Sequence, residues 1–170
     1  MLKILIVEDD AQLATTLKYL VEDNPRYRVV GMAEDLPGAL SAVEREEPDL
    51  ALVDLRLARG STGFSVAVRL NDAAIPVLFV TGKAPDFAMP DLALGCLLKP
   101  FTGEDVHRTL AMAEDMLRGR ETLRPRTPPN LTLYEAAQSV EEQPAEQEVI
   151  VPQRRSLTRR LGQWIVGAAH

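Results

Sequence analysis

The chain of 170 residues contains one cysteine, Cys96, and no long run of apolar residues. A single cysteine excludes a disulfide framework and is typical of a protein from a reducing compartment. No apolar stretch approaches the roughly 18 residues of a membrane-spanning helix. The chain also starts without the charged leader and cleavage site of a signal peptide. We therefore expect a cytoplasmic protein without a membrane span.

Basic residues are too few to give a positively charged surface, because the formal net charge is −6. The acidic excess falls within residues 1–120, whereas acidic and basic residues balance over 121–170. An acidic domain is repelled by the phosphates of nucleic acid. The remainder of the chain has no room for a helix-turn-helix. We therefore expect no direct DNA binding.

Four short apolar runs each end in a polar residue that could carry chemistry. Ile4–Val7 precedes Glu8, Asp9 and Asp10, Leu50–Val53 precedes Asp54, Ile75–Val80 precedes Thr81, and Leu97–Leu98 precedes Lys99. Such runs are typical of buried parallel strands, whose carboxyl ends form the site in α/β proteins. Carboxylates that crowd together repel each other, so the pattern predicts a divalent cation among them.

Strand and helix patterns alternate as far as about residue 118, which predicts an α/β fold with helices on both faces of a parallel sheet. Tyr27–Gly31 is short and polar, so we place it at an edge. Phe64, Val66 and Val68 are expected to pack in the core. Pro85 and Pro90 interrupt the segment between Thr81 and Gly95, so the fourth helix is expected to be absent or reduced to a loop.

The composition changes after residue 120. Prolines and a run of glutamates predict a linker over residues 120–153, which we expect to be disordered. Residues 154–167 have the spacing of a short amphipathic basic helix, for which docking on the acidic domain, a partner protein or a membrane surface stays open. The predicted organisation is a domain over 1–119, the linker, and this helix.

The four motifs together resemble the receiver domain of two-component response regulators. The resemblance covers about residues 1–118 and is carried, in the expected order, by Ile4–Asp10, Leu52–Asp54, Phe79–Gly82 and Leu98–Phe101. It implies a flavodoxin-like, doubly wound sheet of five parallel strands in the order 2-1-3-4-5.

The resemblance also implies the roles of single residues. Asp54 would accept a phosphoryl group from a sensor histidine kinase or a phosphotransfer protein. Glu8, Asp9, Asp54 and the backbone carbonyl of Arg56 would hold Mg²⁺. Thr81 and Lys99 would contact the phosphoryl oxygens. The protein would not be an enzyme beyond assisting its own phosphorylation and dephosphorylation.

Two features depart from the usual receiver pattern. Cys96 lies where many receivers carry a tyrosine or phenylalanine that rotates inward on activation. The missing helix resembles alphaproteobacterial receivers with a Phe-Ala-Thr-Gly motif, although Val80 replaces the alanine. Arg56 and Lys83 would border the path of the hydrolytic water, where they either shield the phosphate or are solvated surface charges.

The expected function is that of a stand-alone response regulator that signals through protein contacts with an unknown downstream protein. The main alternative is a receiver-like adaptor that does not depend on phosphorylation. A Mg²⁺-dependent phosphatase of similar topology is less favoured, because the loops are too short for a substrate pocket. At single residues, Asp9 and Asp10 could cap the first helix, Thr81 could serve only a turn, and Lys99 could be a solvated strand end.

Overall fold

The computed structural model of the protein describes residues 1–120 and 127–134. The predicted basic helix at 154–167 and most of the predicted linker lie outside the described residues. The helices and strands in chain order are β1 (Leu2–Val7), α1 (Ala11–Glu22), β2 (Tyr27–Ala33), α2 (Leu36–Glu46), β3 (Leu50–Val53), α3 (Gly63–Asp72), β4 (Val77–Thr81), β5 (Gly95–Leu98), α4 (Gly103–Leu117) and β6 (Leu131–Leu133).

The strands form one sheet in the order β2-β1-β3-β4-β5-β6. The first five strands are parallel, so the predicted flavodoxin-like order 2-1-3-4-5 is confirmed, with β2 at one edge. The sixth strand runs antiparallel to β5 and was not expected. It lies within the segment for which the composition predicts a linker. A strand of three residues is too short to show an alternating apolar pattern in the sequence. Its pairing depends instead on the open edge of β5.

Alternating strand residues build a separate apolar layer on each face of the sheet. One layer packs α1 and α4 against strand residues such as Ile4, Leu52 and Val80. The other packs α2 and α3 against Val53, Phe79 and other residues of opposite parity. Both faces are therefore covered, as a parallel sheet requires. All of these strand residues are buried.

Side chains at the helix starts satisfy backbone N–H groups that would otherwise be unpaired. Asp35 accepts from the Gly38 N–H and begins α2. Thr62 and Thr102 each begin a helix with a reciprocal capping box, in α3 and α4 respectively. These caps fix where the chain turns after each strand, and so they set the loops around the carboxyl ends of the sheet.

The segment between β4 and β5 contains no helix. The structure describes every residue from 82 to 94, and they form bends and turns only. The predicted loss of the fourth helix is therefore confirmed. Met89 and Leu92 of this segment pack against the apolar layer that α2 and α3 also cover.

The core prediction for α3 is wrong in part. Val66 is fully buried, but Phe64 is 37% exposed and Val68 is 44% exposed. A helix turns by 100° per residue, so residues two apart face nearly opposite directions and cannot all point inward. Phe64 still contacts Phe79 edge-on, with 5.8 Å between the ring centroids.

Among the described residues, no helix is both long and apolar enough to cross a membrane.

Phe79 is the largest fully buried side chain and lies at the centre of the sheet. We expect Phe79→Ala to lower the free energy of unfolding by about 3–5 kcal/mol, because it removes apolar contacts and leaves a cavity. The measurement is urea denaturation followed by circular dichroism. Phe87 is 71% exposed, so Phe87→Ala is the matched control and should change stability by less than about 0.5 kcal/mol. Equal losses in the two variants would contradict this account of the core.

Candidate functional site

Backbone hydrogen bonds between neighbouring strands align the polar residues at the carboxyl end of the sheet. The Asp54 N–H donates to the Val7 carbonyl at 2.9 Å, which places Asp54 beside the residue that precedes Glu8. The Lys99 N–H donates to the Thr81 carbonyl, also at 2.9 Å. Glu8, Asp54, Thr81 and Lys99 therefore come to one edge through strand register, as the sequence analysis predicted.

Lys99 binds two carboxylates at once. Its Nζ lies 2.8 Å from Glu8 Oε2 and 2.6 Å from Asp54 Oδ2. The three side chains are largely shielded from water, with exposures of 19% for Lys99, 5% for Glu8 and 10% for Asp54. Ion pairs in such surroundings are screened far less than surface pairs. Lys99 is therefore not the solvated strand end of the alternative interpretation.

The pKa values of the two carboxylates are shifted in opposite directions. Burial raises the pKa of Glu8 above its ordinary value, and the hydrogen bonds from Lys99 and the Asp10 N–H only partly offset this. Burial also acts to raise the pKa of Asp54, but the hydrogen bonds from Lys99 and the Arg56 N–H outweigh it and lower the pKa. Burial acts against the charge of Lys99, yet its two carboxylate partners raise its pKa. Asp54 and Lys99 are therefore charged at neutral pH.

The acidic residues that follow β1 have different structural roles. Asp10 Oδ1 accepts from the N–H groups of Gln12 and Leu13, so Asp10 is the N-cap of α1. The Asp10 N–H in turn donates to Glu8 Oε1 at 3.1 Å and holds that side chain in place. Asp9 is exposed and is not the capping residue. The capping interpretation is thus correct for Asp10 and wrong for Asp9.

A cavity of about 330 Å³ opens beside Asp54. It is lined by Asp54, Arg56, Thr81, Gly82 and Lys83. Thr81 is buried, and its hydroxyl has no hydrogen-bond partner within the part of the chain that the structure describes. Arg56 and Lys83 are exposed at the rim. A carboxylate, a free hydroxyl and two cations therefore surround a space large enough for a phosphoryl group.

Gly63 is a site residue that the sequence analysis missed. A Cβ atom at this position would lie 2.3 Å from the Asp54 carbonyl oxygen and 2.6 Å from the Leu55 Cα atom. Only glycine therefore lets the start of α3 approach the chain directly after Asp54. The sequence shows a glycine-bearing loop there, but the close approach depends on how α3 packs.

The oxygen donors fit a Mg²⁺ site in their chemistry. Glu8 and Asp54 direct carboxylate oxygens to one point, Asp9 is the next residue after Glu8, and Mg²⁺ prefers oxygen ligands. In the arrangement described here, Lys99 Nζ lies between the two buried carboxylates. Over residues 1–120 and 127–134, no three acidic, histidine or cysteine side chains are close enough together to hold an ion. Binding of Mg²⁺ would therefore require Lys99 to move away from one carboxylate.

Comparison with known proteins identifies the family. The family model described as "Response regulator receiver domain" matches residues 4–111, more than half of the chain. The chain belongs to the response regulator receiver family. Within this receiver, Asp54 directly follows β3 and Lys99 directly follows β5.

Curated relatives of this receiver extend beyond the matched region. The sensory transduction protein LytT of Bacillus anthracis is 32% identical over 65% of this chain and 46% of LytT. The phyllosphere-induced regulator PhyR of Methylorubrum extorquens is 34% identical over 65% of this chain and 43% of PhyR. The receiver therefore spans about half the length of the curated relatives that it matches.

A solved structure also resembles this receiver. The anti-anti-sigma factor PhyR of Bartonella quintana, in a mutant form, is 25% identical and has a TM-score of 0.58 over 69% of this chain and 50% of that chain. Similarity to PhyR proteins in both comparisons fits the predicted alphaproteobacterial subgroup.

The raised pKa of Glu8 predicts how stability depends on pH. Because the folded-state pKa lies above the ordinary 4.5, ionised Glu8 costs stability as the pH rises above 4.5. We expect Glu8→Gln to raise the thermal midpoint by a few degrees at pH 7 without metal, and to have little effect below pH 4.5. Differential scanning calorimetry in EDTA measures both.

The matched control is Glu44→Gln, which changes an exposed glutamate on α2 and should have little effect at either pH. A loss of stability in Glu8→Gln at pH 7 would mean that the Lys99–Glu8 ion pair outweighs the cost of burying the Glu8 carboxylate.

Proposed function

We propose that Asp54 of this receiver accepts a phosphoryl group from a sensor histidine kinase or a phosphotransfer protein. The phosphorylated receiver then signals through contacts with another protein. The observation that carries the proposal is the placement of Asp54 between Lys99 and the cavity that Thr81 also lines. A lone aspartate at a strand end would lack both the neutralising cation and the space.

The chemistry follows from the charges around Asp54. A phosphoryl group and an aspartate are both anionic, so their approach needs positive charge. Lys99 supplies one ammonium at 2.6 Å from Asp54 Oδ2, and its raised pKa keeps it protonated. The lowered pKa of Asp54 keeps the nucleophile ionised. A carboxylate oxygen then forms the bond to phosphorus as the phosphorus–nitrogen bond to the histidine breaks, and the nitrogen keeps the electron pair.

The same surroundings orient the groups. Asp54 Oδ1 accepts from the Arg56 N–H at 3.1 Å, which fixes the rotation of the carboxylate. The Thr81 hydroxyl is available to donate to a phosphoryl oxygen because no described residue engages it. Lys99 would bind an oxygen of the transferred phosphoryl group and neutralise part of its negative charge. The new hydrogen bond from Thr81 is therefore formed only in the phosphorylated state.

Glu8, Asp9, Asp54 and the carbonyl of Arg56 are the groups that we propose hold Mg²⁺. When bound, Mg²⁺ supplies further positive charge against the repulsion between carboxylate and phosphoryl oxygens. Glu8 keeps its hydrogen bond from the Asp10 N–H through Oε1, which leaves Oε2 free if Lys99 moves. The exposed Asp9 can turn toward the site at little cost.

A second candidate function is an adaptor that does not depend on phosphorylation. The Lys99 bridge favours it, because one ammonium already links the two buried carboxylates without any added group. In that case the acidic site is a structural element, and the binding surface is formed constitutively. The free Thr81 hydroxyl and the cavity beside it have no use in this alternative, so we place it second.

The downstream partner is proposed to be a protein, in the same cytoplasmic compartment as the kinase. A PhyR relative is described as an anti-anti-sigma factor, a name that indicates action through protein contacts. The acidic charge of this chain agrees with a protein partner and not with DNA. The receiver is proposed to act as a phosphoacceptor, without catalysis on other substrates.

Phosphorylation is tested by mass spectrometry of the intact chain after incubation with Mg²⁺ and acetyl phosphate. We expect a gain of one phosphoryl group in the wild type and none in Asp54→Ala, because the acceptor carboxylate is missing. Asp72→Ala removes an exposed aspartate at the end of α3 and should be labelled like the wild type. Wild type that stays unlabelled, also with its kinase, supports the adaptor. Labelling of Asp54→Ala would overturn the site assignment.

The two rim cations predict a long phosphate lifetime. Arg56 and Lys83 line the same cavity as Asp54, so we expect Arg56→Ala and Lys83→Ala to shorten the half-life of the acyl phosphate severalfold by admitting water. Loss of label is followed by intact mass over time. Arg69→Ala removes an equal charge from an exposed position of α3 and is the control. Half-lives equal to this control would identify Arg56 and Lys83 as solvated surface charges.

A further inference from the structure

Cys96 does not leave an empty space where other receivers have an aromatic ring. The ring of Tyr134, which directly follows β6, belongs to the same apolar layer as Cys96 and Phe79. The Tyr134 hydroxyl and the Cys96 thiol lie close enough to interact, and burial raises the pKa of Tyr134 to about 12 and that of Cys96 to about 11. Both groups are therefore neutral at physiological pH. A distant part of the chain supplies the aromatic ring.

The segment 127–134 is attached along the whole of β5. Three residue pairs form the antiparallel ladder, from Gly95↔Leu133 to Leu97↔Leu131. Beyond the ladder, the Leu98 N–H donates to the Asn130 carbonyl at 2.9 Å, and the Tyr134 N–H donates to the Leu94 carbonyl at 2.8 Å. The segment thus covers the edge that β5 would otherwise expose.

Gly95 makes this approach possible. A Cβ atom at Gly95 would lie 2.4 Å from the Thr132 carbonyl oxygen and 3.0 Å from the Leu133 Cα atom. Any larger residue would push β6 away from β5. The strand therefore depends on one glycine.

Both ends of the segment contact residues that lie next to the phosphoacceptor site. Asn130 Nδ2 donates to the carbonyls of Leu98 and Pro100, which flank Lys99 on either side. At the other end, Tyr134 contacts Cys96, whose thiol lies close enough to Asp54 for the carboxylate charge to raise its pKa. In the sheet, Cys96 pairs with Phe79 and Leu98 pairs with Thr81. Thr81 and Lys99 are therefore direct neighbours of the residues that the segment contacts.

The attachment is suited to release. β6 is held to β5 by only three residue pairs. A short strand at the edge of a sheet can detach at low free-energy cost. Asn130 Oδ1 is buried without a hydrogen-bond partner among the described residues. Its amide orientation is fixed because Nδ2 donates to two carbonyls, so the unpaired acceptor weakens the bound state.

We propose that the segment 127–134 is the resident occupant of a strand-binding surface at the edge of β5, and that phosphorylation of Asp54 releases it. The phosphoryl group draws Thr81 toward Asp54 and takes Lys99 out of its present ion pairs with Glu8 and Asp54, which displaces the end of β5 from Asn130 and Cys96 from Tyr134. Release leaves the backbone groups of β5 free to pair with an extended segment of a partner protein. This inference rests on the proposed function, because it needs a phosphoryl group on Asp54.

The test is hydrogen–deuterium exchange of the full chain with and without Mg²⁺ and acetyl phosphate. Intact mass is recorded on the same samples. We expect the amides of residues 95–101 and 127–134 to exchange severalfold faster once the label is present, and to be unchanged in Asp54→Ala. A labelled chain whose exchange is unchanged in both segments overturns the inference and leaves the proposed function intact. If no label is gained, also with its kinase, the proposed function fails and the inference fails with it.

The reverse experiment starts from the segment. Tyr134→Phe removes only the hydroxyl and should speed exchange over 127–134 without phosphate, whereas Tyr19→Phe, at a 71% exposed tyrosine, should not. Gly95→Ala should release β6 by steric contact. Because coupling is reciprocal, Gly95→Ala should also bind the phosphoryl mimic beryllofluoride more tightly in the presence of Mg²⁺. Affinity that is unchanged or weaker in a folded Gly95→Ala, as judged by circular dichroism, would exclude coupling between β6 and Asp54.

Discussion

The ion pairs of Lys99 are the interaction on which the site depends. Two carboxylates that are both largely buried would repel each other strongly, and the ammonium at the end of β5 makes the arrangement stable. The same ammonium links three strands of the sheet, because Glu8 follows β1 and Asp54 follows β3. Any group that competes for one of these carboxylates must displace Lys99, the residue that directly follows β5.

The edge of β5 is the second constraint, because β5 is the last of the five parallel strands and its outer backbone groups need a partner. Without a helix over residues 82–94, the face beside Cys96 needs a cover as well. The segment 127–134 provides the ring of Tyr134 for the face and β6 for the edge. Cys96 is small enough to accept the ring, and Gly95 is small enough to accept the strand. The unusual residues of β5 and the added strand therefore form one consistent arrangement.

Sequence patterns predicted the sheet and the polar residues that follow its strands, but they predicted fewer of the contacts between side chains. Short apolar runs followed by a polar residue indicated β1, β3, β4 and β5, because the pattern of a buried strand is contained in a few consecutive residues. Pro85 and Pro90 indicated the missing helix for a similar reason, since proline acts on its own turn. Val68 was misplaced because the direction of a helical side chain depends on where the helix packs. Asp9 and Asp10 look alike in sequence, and only the geometry of the first turn of α1 assigned the cap to Asp10.

The sequence by itself determined that this chain is an α/β receiver with Asp54, Thr81 and Lys99 at neighbouring strand ends, because each signal lies within a few residues. Only the tertiary structure decided that Lys99 bridges Glu8 and Asp54, that Gly63 and Gly95 permit close backbone approaches, and that Tyr134 packs on Cys96. These contacts join parts of the chain that are distant in sequence and carry no periodic pattern. They depend on how the sheet brings its edges and ends together, which no local signal specifies.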